Sequence, residues 1–142
     1  MKRIVASFLF YFTLFQVIAH GQDIKADKVP ASVKSALIKK YPEAKGVLWE
    51  KENGNYEANW GGKSGEDNSV QFTPSGDFIE IVKAIPVSQL PPVILTYIKD
   101  NYKGMKIKEA GKVTDAKGKT TYEAMVNKKE LVFDENGNFI KK

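Results

Sequence analysis

From residue 29 the apolar positions fall at steps of three and four. Val29, Val33, Ala36, Leu37 and Tyr41 share one side of a helix, while Lys34, Ser35, Lys39 and Lys40 take the other. That period predicts an amphipathic helix with one stripe to bury. The stripe returns at Leu90, Ile94, Tyr97 and Ile98, with Val93 and Leu95 making the second helix more apolar all round. Asp27 and Ser88 stand at equivalent places as N-cap candidates, and Pro30, Pro91 and Pro92 lie in or near the first turn, where a missing N–H costs little. Pro42 and Gly104 follow the two helix ends.

Beyond each helix the period drops to two, the mark of strands buried on one face. The expected strands are 47–51, 56–60, 70–73 and 78–83 after the first helix, and 106–113, 120–126, 130–133 and 139–141 after the second. Asn53 and Gly54 signal a short hairpin because both tolerate positive φ, and residues 74–77 close another turn. Residues 61–68 read as an exposed, flexible loop.

The two halves are copies. Segment 27–41 recurs 61 positions later as 88–102, and Phe72, Gly76 and Phe78 meet Phe133, Gly137 and Phe139 at the same offset. Tyr56-Glu57-Ala58 is answered by Tyr122-Glu123-Ala124 at offset 66, so one hairpin turn has gained five residues and the next loop has lost five. Sequential strands on short turns make an antiparallel meander, and a helix ahead of each meander must cover one face of it to bury its stripe. The expected fold is α+β: a tandem repeat of helix plus four-stranded antiparallel meander, over about 27–83 and 88–141. Both helices lie on one face of a combined sheet, and the other face is open.

Ahead of the repeat lies a different segment. Lys2 and Arg3 precede a 16-residue apolar run, 4–19, broken only by Ser7, Thr13 and Gln16, and Ala19 and Gly21 offer small residues before a cleavage point. Residues 1–21 therefore read as an export signal removed after Gly21, leaving one domain, 22–142. The competing reading, a retained anchor, wants about 20 predominantly apolar residues. The expected product is periplasmic or secreted, with no stable membrane anchor after cleavage. The chain has no cysteine, so neither a disulfide framework nor a lipid-bearing cysteine is available. A domain of this size buries roughly two thirds of its unfolded surface without covalent help.

The whole chain has 22 basic and 17 acidic residues, a net charge of +5; without the signal, twenty lysines, no arginine and a net charge of +3 remain. Scattered lysines without a guanidinium fork argue against nucleic acid as a partner.

These features resemble the secreted bacterial proteins described as beta-lactamase-inhibitor-like or PepSY-like. The residues that carry the resemblance are the helix end Lys40-Tyr41-Pro42-Glu43-Ala44, the Tyr-Glu-Ala strands at 56–58 and 122–124, and the strand-turn endings 72–76 and 133–137. It spans residues 27–141, making 22–142 a single PepSY-like domain. The resemblance implies a tandem repeat like that of beta-lactamase inhibitor protein, whose sheet presents a concave surface to a protein partner. Inhibition of a beta-lactamase is not carried over: none of that inhibitor's contact residues matches a position here, and its disulfide in each unit has no counterpart. PepSY-type domains are also linked to restraining secreted peptidases, again with no residue to transfer.

Catalysis is narrowed by what is missing. His20 is the only histidine and leaves with the signal, which removes triads, thiol nucleophiles and histidine–zinc sites from the domain. A paired-carboxylate hydrolase or a serine–lysine enzyme stays formally open, but the acids are dispersed and Ser64 and Ser69 lie in or beside a glycine-rich loop without a motif. The run Asp134-Glu-Asn-Gly-Asn138 has the oxygens of a calcium loop but not its spacing, and reads as a hairpin turn. Gly61-Gly62-Lys63-Ser64 lacks the glycine spacing of a phosphate loop. No enzyme activity, cofactor or metal is expected.

The candidate binding residues are Trp49, Glu57, Asn59, Trp60, Glu123 and Met125. Tyr56, Ala58 and Trp60, like Tyr122, Ala124 and Val126, share the helix-side strand face, and Glu57, Asn59, Glu123, Met125 and Asn127 the other. The expectation is an exported, non-enzymatic binding module that engages an envelope or secreted protein through the open face or the 61–68 loop. The alternative is a small-ligand carrier with a pocket between the repeats, lined by Trp49 or Trp60. A purely structural envelope component is a third reading.

Overall fold

The structure is a computed structural model that describes residues 21–141. The expected export signal, apart from Gly21, lies outside the described residues. The chain runs through β1 (Gln22–Ile24), a 3-10 turn (Ala26–Lys28), α1 (Ala31–Lys40), β2 (Leu48–Glu52), β3 (Asn55–Trp60), β4 (Asn68–Phe72) and β5 (Phe78–Ile85). A second 3-10 turn (Val87–Gln89) leads into α2 (Pro92–Asn101), β6 (Ile107–Asp115), β7 (Thr120–Val126), β8 (Lys129–Asp134) and β9 (Phe139–Lys141). All nine strands form one sheet in sequence order, every neighbouring pair antiparallel. β5 and β6 pair directly although α2 separates them in the chain.

The helices start later than Asp27 and Ser88 suggested. Those residues sit inside the 3-10 turns, and the N-cap positions belong to Pro30 and Pro91, with no side-chain cap. The reason is steric: a proline pushes the residue before it out of the helical region, and Val29 (φ −82°, ψ 131°) and Leu90 (φ −62°, ψ 142°) are accordingly extended. Both helices end on a tyrosine whose N–H still reaches back one turn, Tyr41 to Leu37 O and Tyr102 to Ile98 O.

Each helix buries its stripe on the sheet. Val33 and Leu37 of α1 share a core with Trp49, Ala58, Val70, Phe72 and Ile81, while Ile94 and Ile98 of α2 share one with Ala110, Ala124, Val126, Leu131 and Phe133. Each such aliphatic side chain taken from water contributes roughly 1.5–3 kcal/mol. The ladder pairs Ile85 with Ala110, and Ile81 and Ile85 fall on the same side of β5, so both cores occupy one side of the sheet.

Two devices recur at the 61-residue offset. The ladder slips between Gln71 and Phe72 and again between Val132 and Phe133. Such bulges return Phe78 and Phe139 to the helix side, where their rings lie 6.2 Å from Phe72 and 5.7 Å from Phe133. The hairpin tips after β4 and β8 then dock on the helices. Gly76 (φ +90°) lies against the Ser32 carbonyl, and the Ser32 hydroxyl donates to Pro74 O at 2.8 Å; Gly137 (φ +83°) lies against Val93.

Strand β1 was not legible in the sequence, because three residues carry no period. Residues 61–67 are also better tied than a free loop: Asp67 N–H donates to Gly61 O, Ala84 N–H to Asp67 O, and Asn68 Nδ2 to Trp60 O.

Candidate binding face

The side of the sheet away from the helices is organised by register. One row runs Glu50, Glu57, Gln71, Glu80, Asp115 across β2 to β6, with Asp23 of β1 opposite Glu50. The next runs Asn59, Ser69, Val82, Val113, Thr121, and a third places Glu123 between Gly111 and Val132. Period two dictates these assignments, since the partners of core residues on the same strands must point the other way.

This side is not the exposed polar surface that the alternation suggested. Glu57 is 6% exposed, Asn59 4%, Gln71 3%, Glu123 5% and Met125 5%. Among the described residues the helices pack only on the opposite side. A wide antiparallel sheet coils, and on the inner side of a coiled sheet neighbouring side chains shield one another. Val82 and Val113, paired across the β5–β6 junction, form a small apolar floor.

Burial sets the electrostatics. The Glu57 carboxyl accepts a hydrogen bond from the Ser69 hydroxyl, yet burial, reinforced by the charges of Glu50 and Glu52, pushes it up to about 8. Burial and Asp115 push Glu80 up to about 7. Glu123 lies well above the usual carboxylate range because of burial and the neighbouring Glu130 and Glu80. Glu50 is raised by burial and by Asp23, Glu66 and Glu52. Gln71 Oε1, Glu80 Oε1 and Glu123 Oε2 are buried and accept no hydrogen bond from the described residues, whereas the great majority of buried acceptors in proteins are paired.

The sequence-derived candidates divide. Glu57, Asn59, Glu123 and Met125 lie on the helix-free side. Trp49 and Trp60 do not join them: both are buried in the core beneath α1, and Trp60 stacks obliquely on Tyr41 with ring centroids 5.4 Å apart. The 61–67 loop does rim the helix-free side. Gly65 sits against the Leu48 side chain, which is 53% exposed, and Glu66 is near enough to raise Glu50. Glu50, Ser69, Gln71, Glu80 and Asp115 were missed, although the glutamates at the off-phase positions of β2 and β5 were a signal for two of them.

The Asp134 turn is filled by its own chain. Asp134 Oδ1 accepts the N–H groups of Asn136 and Asn138, and Oδ2 accepts Asn138 Nδ2, which holds the carboxyl below its usual range. These donors use the oxygens that a calcium ion would need. No group of three or more acids among the described residues is placed to hold a metal ion.

The sequence profile of a family described as "Putative beta-lactamase-inhibitor-like, PepSY-like" matches residues 15–63 and 62–141. No curated protein matches. Among solved structures, a "putative periplasmic" protein of Bacteroides eggerthii is similar at TM-score 0.71 and 21% identity, over 80% of this chain and 86% of that one. A DUF2874 family protein of Bacteroides ovatus gives 0.68 and 22%, over 81% and 86%. A protein of Bacteroides fragilis described as BLIP-like gives 0.64 and 22%, over 79% and 84%. These likenesses concern the fold.

Proposed function

Because this chain belongs to the PepSY-like, beta-lactamase-inhibitor-like family, we propose that it is an exported, non-enzymatic binding module that engages another envelope or secreted protein through the helix-free side of its sheet. The carrying observation is that side's set of buried acceptors, among which Gln71 Oε1 and Glu80 Oε1 of the row and Glu123 Oε2 beyond it lack donors among the described residues. A buried acceptor without a donor costs about 1–3 kcal/mol, and a docked partner can return that cost as affinity. Both helices pack on the far side of the sheet, so no helix among the described residues covers this side.

The periplasmic or secreted location rests on the export signal read from residues 1–21 and on the description of the B. eggerthii neighbour. No helix among the described residues is long and apolar enough to cross a membrane. The protein-binding reading is favoured over a small-ligand carrier because Trp49 and Trp60, the residues that would line a carrier pocket, are packed against α1.

A photo-crosslinking residue tests this reading. Leu48 is exposed on the rim of the helix-free side, and Ile38, 68% exposed, is on α1. In the native envelope, a crosslinker at position 48 should trap a discrete protein band that one at position 38 does not. Crosslinks from position 38 alone, or none from position 48, would refute the proposal.

A further inference from the structure

Charge is segregated between the two sides of the sheet. At the paired strand positions of β1 to β8 on the helix-free side, every charged residue is a carboxylate, Glu50, Glu57, Glu80, Asp115, Glu123 and Glu130 among them. Yet the chain as a whole is basic, with a net charge of +5. The paired lysines of these strands, Lys51, Lys83, Lys112 and Lys129, fall on the helix side, opposite Tyr56, Asn68, Tyr122 and Val126, while Lys108 stands at the register slip of β6 without a ladder partner. A soluble surface that only needed solvation would intersperse the two signs.

The second observation is independent of charge. Gln71 is 97% buried by its 3% exposure, stands in the row between Glu57 and Glu80, and its Oε1 has no donor; Glu123, 5% exposed, has a donorless Oε2. Buried, donorless acceptors in a carboxylate row ask for a ligand that brings hydrogen-bond donors and positive charge together.

Resting on the binding reading above, we propose that the occupant of this side is an extended, lysine- or arginine-bearing segment of the partner protein. The shape of the site selects a segment over a point ion. At about 4.8 Å per strand, the row from Glu50 to Asp115 is roughly 19 Å long, the reach of about six extended residues. Carboxylates strung along a line do not converge on one centre, whereas basic side chains at alternate positions of a strand, about 7 Å apart, spread about three charges along the length of the row. Leu48 and the loop beside it offer a rim.

The test uses the full chain as the cell processes it and three probes: an eight-residue peptide alternating lysine and threonine, the same peptide with glutamate for lysine, and calcium alone. Calorimetry should show binding of the basic peptide only. At pH 9, where the Glu57 and Glu80 carboxyls are both ionised, Glu57→Gln with Glu80→Gln should weaken it at least tenfold, whereas Glu43→Gln with Asp100→Asn, which removes two charges from exposed positions elsewhere, should change it less than twofold. A readout on the unmodified chain guards against a variant that misfolds: the Met125 methyl resonance, on the helix-free side, should move with the basic peptide while that of exposed Met105 stays put. Equal weakening by both double variants, a Met105 shift without a Met125 shift, no binding of the basic peptide, or its displacement by calcium would each overturn the inference. A trapped partner at position 48 together with a failed basic peptide would leave the binding reading standing and remove only the cationic occupant.

Discussion

Replacing Glu57 by glutamine should stabilise this protein increasingly as the pH rises from about 4.5 to about 8. The Glu57 carboxyl, ordinarily near 4.5, is pushed up to about 8, so the folded state keeps a proton that the unfolded chain releases. Stability from that proton is fully present below pH 4.5, falls as the pH rises, and levels off above about 8. Each pH unit of that displacement corresponds to about 1.4 kcal/mol, which gives a ceiling on the order of 5 kcal/mol. Local relaxation and water entry lower the realised value, so a gap of about 3 kcal/mol between variant and parent at pH 8.5 is expected.

Glutamine is neutral throughout and keeps an oxygen for the Ser69 hydroxyl. The two proteins should therefore be nearly equal at pH 4.5 and diverge between pH 5 and 8. Urea unfolding followed by the fluorescence of buried Trp49 and Trp60 reads this directly. With a slope of about 1.5 kcal/mol per molar urea, the variant's midpoint should lead by about 2 M at pH 8.5. Glu80, Glu123 and Glu50 shift in the same direction and add their own pH dependence, but that is common to both proteins and cancels in the difference. Midpoints that stay parallel from pH 5 to 8.5, or a parent that gains on the variant as pH rises, would refute the reasoning.

The two docked hairpin tips should respond unequally to the same change. An alanine at Gly76 puts a Cβ 2.7 Å from the Ser32 backbone oxygen at φ +90°, whereas at Gly137 (φ +83°) the clash is with a Val93 methyl that can turn aside. Both variants should lose about 1–3 kcal/mol of stability to left-handed strain, and Gly76→Ala should lower the thermal midpoint further; the reverse order would mean the tips do not seat as described. In the two-residue turn between β7 and β8, Asn127 and Lys128 both have positive φ (47° and 65°). Lys128→Gly should stabilise by about 1 kcal/mol in the same assay, and a loss of stability would show that the lysine side chain matters more than its backbone.

How much was legible follows from how each feature is encoded. The helical stripes at Val33 and Leu37 or Ile94 and Ile98, and the hairpin at Asn53 and Gly54, are local patterns, and local patterns can be read. The opposition of Glu50 and Glu57 was within reach too, because a two-residue turn fixes its register. The rest of the row was not. Gln71 meets Glu57 only because the 61–67 loop has its particular length, and Glu80 meets Asp115 across an intervening helix. Alternation also says which side a residue faces but not how far the sheet coils, so Glu57 and Glu123 were expected in the open and lie at 6% and 5% exposure. The helix starts were misread because Asp27 and Ser88 have cap chemistry, while the prolines that follow them dictate the backbone.

The chain treats its carboxylates in two ways, and the difference bears on function. In the hairpin turns the backbone supplies donors: Asp115 Oδ1, at the end of the row, accepts the N–H groups of Lys117 and Lys119, and Asp134 Oδ1 those of Asn136 and Asn138. On the helix-free side Glu80 and Glu123, with Gln71 beside them, are buried with an oxygen left donorless. Replacing such groups by apolar residues of similar volume is often neutral or stabilising, so fold stability alone does not account for them. Sequences that agree with their fold at every other level tend to break the rule at the place of work. Here the breaks fall on one side of one sheet and all are acceptors left without donors, which supports the proposal that this side receives a partner.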